Sequence, residues 1–194
     1  MAISIKVKGE RIPEPVERPP PGERRGTVLK ERGHPLPDLR CYIRDDVLRS
    51  MVSRAREAGD YEVGGYYLGG LHHYEGRRYL DVTLQIPALK AESARAQLTF
   101  SNQAQKAFHE AVARAPAGHV VLGWYHTHPT YGVFLSSYDL FIHQNFFASD
   151  YLTAIVIDPW AEAPERDVGV FVWEDHGKGR EVSQPYGLIV YGNE

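Results

Sequence analysis

The chain has 194 residues, 43% of them hydrophobic and 24% charged, with 13 prolines, nine histidines and one cysteine. That apolar share supports a folded core, and the lone Cys41 excludes an internal disulfide framework or a cysteine-rich zinc module. A formal net charge of -3 gives no electrostatic case for nucleic acid, and no run reaches the roughly 18 apolar residues of a membrane helix. The first ten residues, MAISIKVKGE, lack the apolar core and cleavage site of a secretory signal, so a cytoplasmic protein is expected.

Residues 1–40 read as a Pro-rich arm. Five of the 13 prolines fall between Ile12 and Pro21, and nine Lys/Arg stand against six Asp/Glu up to Arg40. Proline removes backbone donors and favours extended polyproline geometry. The arm is therefore a solvated linker, a strap lying on the body, or a docking segment for a partner. The body, 41–194, is acidic, with 13 Lys/Arg against 19 Asp/Glu.

Within the body, Asp45 or Asp46 is expected to cap a helix through Glu57, with Val47, Leu48, Met51, Val52 and Ala55 on its apolar face and Gly59 as its stop. Tyr61 to Leu68 and Tyr79 to Ile86 read as paired strands turning near Gly76, with His72 and His73 in a turn after Gly69-Gly70. Ser101 or Asn102 starts a second helix to about Arg114, burying Ala104, Phe108, Ala111 and Val112. His119 to His126 is a strand, and Ser136 to Phe147 a third helix with Leu140, Phe141 and Phe147 apolar. Tyr151 to Ile157, Val168 to Trp173 and Leu188 to Tyr191 are β-branched or aromatic runs, hence strands, with a hairpin turn at Gly177 to Gly179. The order gives an α/β (mixed α+β) fold class: one curved mixed β-sheet flanked by helices.

The chemistry concentrates in GWYHTHPTYGVFLSSYD, from Gly123 to Asp139. His126 and His128, two apart at a strand end, project from one face. Ser136 and Asp139, three apart at a helix start, occupy neighbouring positions of one helix face. Taken singly, the histidines are a polar strand face, Asp139 a charge favoured by the helix dipole and Ser136 an N-cap. Together, two imidazoles and one carboxylate form a ligand set for Zn²⁺ that leaves the fourth position to water.

His126-Thr127-His128-Pro129, then Leu135-Ser136 and Asp139, resembles the JAMM (MPN+) motif of zinc metalloproteases. Glu62-Val63-Gly64-Gly65-Tyr66-Tyr67-Leu68-Gly69 resembles the upstream E-x-x-G-x-x-L-G strand of that family, and Leu152 to Pro159 extends the likeness. The motif is most similar to that of the deubiquitinase subunit of the proteasome lid. The resemblance implies an MPN/JAMM, cytidine-deaminase-like core and one Zn²⁺ held by His126, His128 and Asp139 with a catalytic water. It further implies Glu62 as general base and Ser136 as oxyanion donor, with Ser136 as a cap alone the open alternative. Three positions depart from the common pattern: Thr127 replaces serine, Thr130 glycine, and Val133 a cysteine found in several relatives.

By the same resemblance, the substrate is a ubiquitin-like protein cut after its C-terminal diglycine, during deconjugation or precursor processing. The alternatives are a zinc hydrolase of small peptides or sulfur-carrier adducts, and a non-catalytic interaction module. Ala88 to Thr99 stands where the family carries a tail-contacting insertion, or is a plain surface loop, and Tyr131 and Phe134 wall the channel or join the local core. The remaining histidines have structural readings, His143 being a partly exposed helix residue or a partner behind the metal ligands.

Overall fold

One mixed sheet organises the chain, here in a computed structural model whose described residues are 13–23, 27–32, 35–88, 109–163, 167–175, 179–182 and 184–193. Its strands are β1 (Val16–Glu17), β2 (Thr27–Arg32), β3 (Arg40–Arg44), β4 (Gly64–Tyr74), β5 (Arg77–Pro87), β6 (Val120–Thr127), β7 (Thr153–Ile157), β8 (Val168–Phe171) and β11 (Leu188–Asn193). Eight run in the order β2-β11-β3-β5-β4-β6-β7-β8, and β1 pairs with β4 beyond the end of β6. A separate hairpin joins β9 (Glu174–Asp175) to β10 (Arg180–Glu181), and its turn residues 176–178 lie outside the described residues. Two helices carry the argument: α1 (Asp45–Ala58) and α2 (Ser137–Phe146). The expected curved mixed sheet flanked by helices is the observed architecture.

Strand alternation sorts side chains to two faces. Tyr67, Tyr125, Ile155 and Ile157 join Val47, Leu48 and Met51 of α1 in one core, while Tyr66, Leu68, Trp124, Ala154 and Val156 join Ile142 of α2 and Phe147 in the other. Every residue of β7 (TAIVI) is buried, because both faces of this inner strand are covered. Cys41 lies in the α1 core, where burial pushes its thiol up to about 12 and leaves it unreactive.

Several details depart from expectation. The N-cap of α1 is Arg44, with no side-chain cap bond; Asp45 and Asp46 sit in the first turn, where they favour the helix dipole, and Arg44 pairs with Asp46. The strand expected from Tyr61 begins at Gly64 and continues through Gly69-Gly70 to Tyr74, so His72 and His73 lie in β4 and not in a turn. A bulge at Leu68/Gly69 admits the double glycine, and the reversal comes at Glu75 and Gly76, both with positive φ (49° and 76°) as a tight hairpin demands. The expected second helix is described only over 109–113; its start lies outside the described residues, as do His34, His176 and the segment from 89 to 108. The arm is built into the sheet where it is described: β1 runs parallel to His72-His73, and β2 lies antiparallel along β11 as an edge strand.

Gly69 shows why glycine occupies the bulge: a Cβ there would lie 1.8 Å from the Asp81 carbonyl oxygen of β5. Gly69→Ala is expected to force the two strands apart and cost about 1–3 kcal/mol, measured by urea unfolding. A wild-type midpoint would show that the β4–β5 spacing yields without cost.

Candidate metal centre

The end of β6 places the histidines. Trp124 and His126 are on the α2 face, and the His126 ring stacks on the Trp124 indole at 4.8 Å and 12°. His128 follows one residue beyond β6, its backbone N–H donating to the Ile157 carbonyl at 2.9 Å. Its Nδ1 lies 3.2 Å from the Gly132 carbonyl, which can only accept. The His128 proton is therefore on Nδ1 and the lone pair of Nε2 faces the site.

The start of α2 places the carboxylate. Ser136 is the N-cap: its Oγ accepts from the Asp139 N–H at 3.2 Å, and Asp139 Oδ2 accepts from the Ser136 N–H at 2.8 Å. This reciprocal capping box fixes the Asp139 rotamer. Below it, Ile142 and Phe147 pack with Trp124, pressing the helix onto β6.

The three side chains converge. His126 Nε2 and His128 Nε2 are 2.9 Å apart, and they lie 3.4 Å and 3.6 Å from Asp139 Oδ2. A tetrahedral ion with bonds of about 2.0–2.1 Å needs donors separated by about 3.3 Å, so the set fits zinc. All three residues are buried. Two imidazole nitrogens facing each other beside a carboxylate are best satisfied by a shared cation. Burial opposes ionisation of Asp139, yet the neighbouring His126 and His128 rings and the bond from Ser136 outweigh it and hold the carboxyl well below its usual range.

Glu62 joins the site from the other strand. It precedes β4 by two residues, where a position on the strand was expected. The Thr127 N–H donates to the Val63 carbonyl and the Val63 N–H donates to Thr127 Oγ1, both at 2.9 Å. These bonds prolong the pairing that sets Gly64 against His126, bringing Glu62 opposite His128. Burial raises the half-buried Glu62 carboxyl above its ordinary value; His128 and His126 pull it back and Asp139 adds to the rise.

Thr127 was not singled out as a positioning group by the sequence, whereas His143 was read as a partly exposed helix residue or as a partner behind the metal ligands. His143 is fully buried, which overturns its reading as a partly exposed helix residue. Its Nδ1 accepts from Trp124 Nε1 at 3.1 Å, it stacks on Trp173 at 5.0 Å, and burial brings its pKa down to about 4. It backs the indole that backs His126, without touching the donor set. Tyr131 and Phe134 are exposed at 64% and 45%, outside the core, with the Phe134 ring 4.7 Å from that of His128.

Two measurements follow from these contacts. As pH falls from about 6.5 towards 4, the unfolded chain protonates His143 while the folded one keeps it neutral, removing up to about 3 kcal/mol of stability; a His143→Gln variant should lose that part of the acid slope in urea unfolding. Thr127→Val strips the Val63 N–H of its acceptor, so it should cost about 1–3 kcal/mol and accelerate Val63 amide exchange, whereas Thr127→Ser should preserve both.

The surrounding chain has known relatives. Residues 39–150 match the family model described as JAB1/Mov34/MPN/PAD-1 ubiquitin protease. The 26S proteasome non-ATPase regulatory subunit 14 of Dictyostelium discoideum is 30% identical over 128 residues, covering 64% of this chain and 41% of that protein. The COP9 signalosome complex subunit 5 of Candida albicans is 24% identical over 151 residues, covering 73% of this chain and 24% of that protein. The matches thus span less than half the length of these curated relatives. The solution structure of protein DSY2949 from Desulfitobacterium hafniense superposes with a TM-score of 0.55 at 18% identity, covering 79% of this chain and 94% of that one, a likeness of fold. The family match encloses Glu62, His126, His128, Ser136 and Asp139, and the chain belongs to the JAB1/Mov34/MPN/PAD-1 family, bearing out the JAMM resemblance read from its motif.

Proposed function

We propose that this protein is a zinc-dependent isopeptidase or peptidase that cuts after the C-terminal diglycine of ubiquitin or a ubiquitin-like protein, in deconjugation or precursor processing. One observation supports this above the rest: next to the Val63–Thr127 hydrogen bonds, a partly desolvated carboxylate, Glu62, lies within electrostatic reach of the three clustered donors His126, His128 and Asp139. A purely structural module has no need of that convergence.

Under this reading His126, His128 and Asp139 hold the ion. A zinc ion held there would lower the pKa of water and polarise the scissile carbonyl. Glu62 takes the proton of the attacking water and returns it to the leaving amine nitrogen. Its raised proton affinity suits it to both halves of that exchange. Ser136 accepts the Asp139 N–H at its Oγ, which leaves the hydroxyl proton for the developing oxyanion. Capping and oxyanion donation are therefore compatible in one side chain. An extended, side-chain-free diglycine tail suits an approach flanked by the exposed rings of Tyr131 and Phe134.

The test compares wild type with Glu62→Gln on C-terminally extended ubiquitin-like proteins and on short peptides, with zinc content measured for both. Equal zinc is expected, with cleavage of the protein substrates reduced by about 10²–10⁴-fold in the variant. Near wild-type turnover by Glu62→Gln contradicts the assigned base, and cleavage of short peptides alone replaces the proposed substrate class. Ser136→Ala should lower turnover by about 10²-fold and stability by about 1 kcal/mol, separating its two duties.

A further inference from the structure

Beside the donor set, a second buried carboxylate engages backbone alone. Asp158 follows β7 and is 4% exposed. Its Oδ1 accepts from the Thr130 and Trp160 N–H groups at 3.1 and 3.0 Å, and its Oδ2 accepts from the Gly132 N–H at 3.0 Å. Two of those donors lie in the loop between His128 and α2, at residues with left-handed backbones: Thr130 at φ 68° and Gly132 at φ 86°. A threonine in that region carries strain on the order of 1–2 kcal/mol and persists only where its surroundings impose it. The same Gly132 whose N–H is held by Asp158 presents its carbonyl to His128 Nδ1. The His128 backbone N–H is bound to Ile157, the residue before Asp158, so the loop closes on itself.

We propose that Asp158 is the positioning residue for His128: by pinning the Thr130–Gly132 turn it fixes the Gly132 carbonyl, and through it the tautomer and aim of the imidazole. The inference rests on the metal-site reading, to which it adds the element that preorganises one ligand. A histidine ligand whose other nitrogen has a fixed acceptor binds metal more tightly, and loss of such a partner commonly costs 10–100-fold in affinity. Asp158 touches neither the donor atoms nor any group assigned a role in proton transfer.

Asp158→Asn keeps the shape but presents an amide to N–H donors that need acceptors. Gly132→Ala acts independently: the space for a Cβ is open, so only the left-handed backbone is strained. For each variant and the wild type, zinc affinity is measured by chelator competition and the His128 ring by ¹⁵N shifts in metal-free protein. The proposal expects the Nδ1–H tautomer in wild type, a shift towards mixed tautomers in both variants, and zinc affinity at least tenfold weaker. Affinity within twofold of wild type with unchanged His128 shifts, whatever happens to the melting temperature, overturns it and makes Asp158 merely structural. If wild type takes up no zinc, the metal-site reading fails, while the tautomer comparison still decides what Asp158 does. Should Asp158→Asn not fold, Gly132→Ala decides by the same two readouts.

Discussion

One carboxylate oxygen, Asp139 Oδ2, closes the first turn of α2 and also faces both imidazoles. A buried carboxylate is costly unless it is compensated, and here the compensation comes from two directions. The helix supplies the Ser136 N–H and the positive end of its dipole; the strand supplies His126 and His128. Neither alone accounts for the burial of the group. The site is thus the seam between α2 and β6, and the packing of Ile142 and Phe147 on Trp124 keeps the seam closed.

The second constraint is register. Antiparallel pairing of β4 and β6 sets Gly64 against His126, and the Thr127 hydroxyl carries the pairing one residue past the strand. That extension brings Glu62 within electrostatic reach of His126, His128 and Asp139 although it is 64 positions earlier in the chain than His126. A one-residue slip would turn the alternating side chains to the other face and separate Glu62 from the two histidines. The bulge at Leu68/Gly69, where no Cβ fits against Asp81, sits on the same strand and helps to fix that register. β7 completes the arrangement by running parallel to β6 and ending just before Asp158, beside the loop that carries His128 away from the sheet.

Much of this was legible because it is local. The spacing of His126, His128, Ser136 and Asp139 encodes one strand end and one helix start, and both form as read. Glu62 was reached through a motif, since no periodicity links it to a histidine pair so distant in sequence. What was not legible depends on tertiary pairing. β2 (TVLKER) is charged and largely exposed, so it lacks the apolar alternation of a half-buried strand and is a strand only because β11 lies alongside. His72 and His73 follow two glycines and imitate a turn, until β5 is seen to pair with them. His143 looked like the polar side of a helix; the buried side is set by the Trp124 and Trp173 rings, and it is Phe141 that faces solvent. Asp158 binds backbone groups, two of them in a distant loop, which no sequence pattern announces.

The claim at the centre is that two imidazoles and one carboxylate form a single preorganised zinc site. X-ray absorption at the zinc edge of the stoichiometrically loaded protein tests it most directly. The account predicts four nitrogen or oxygen neighbours at about 2.0–2.1 Å, with multiple-scattering features of two imidazoles and no sulfur. A first shell lacking two imidazoles, or a six-coordinate shell of oxygen alone, would contradict it.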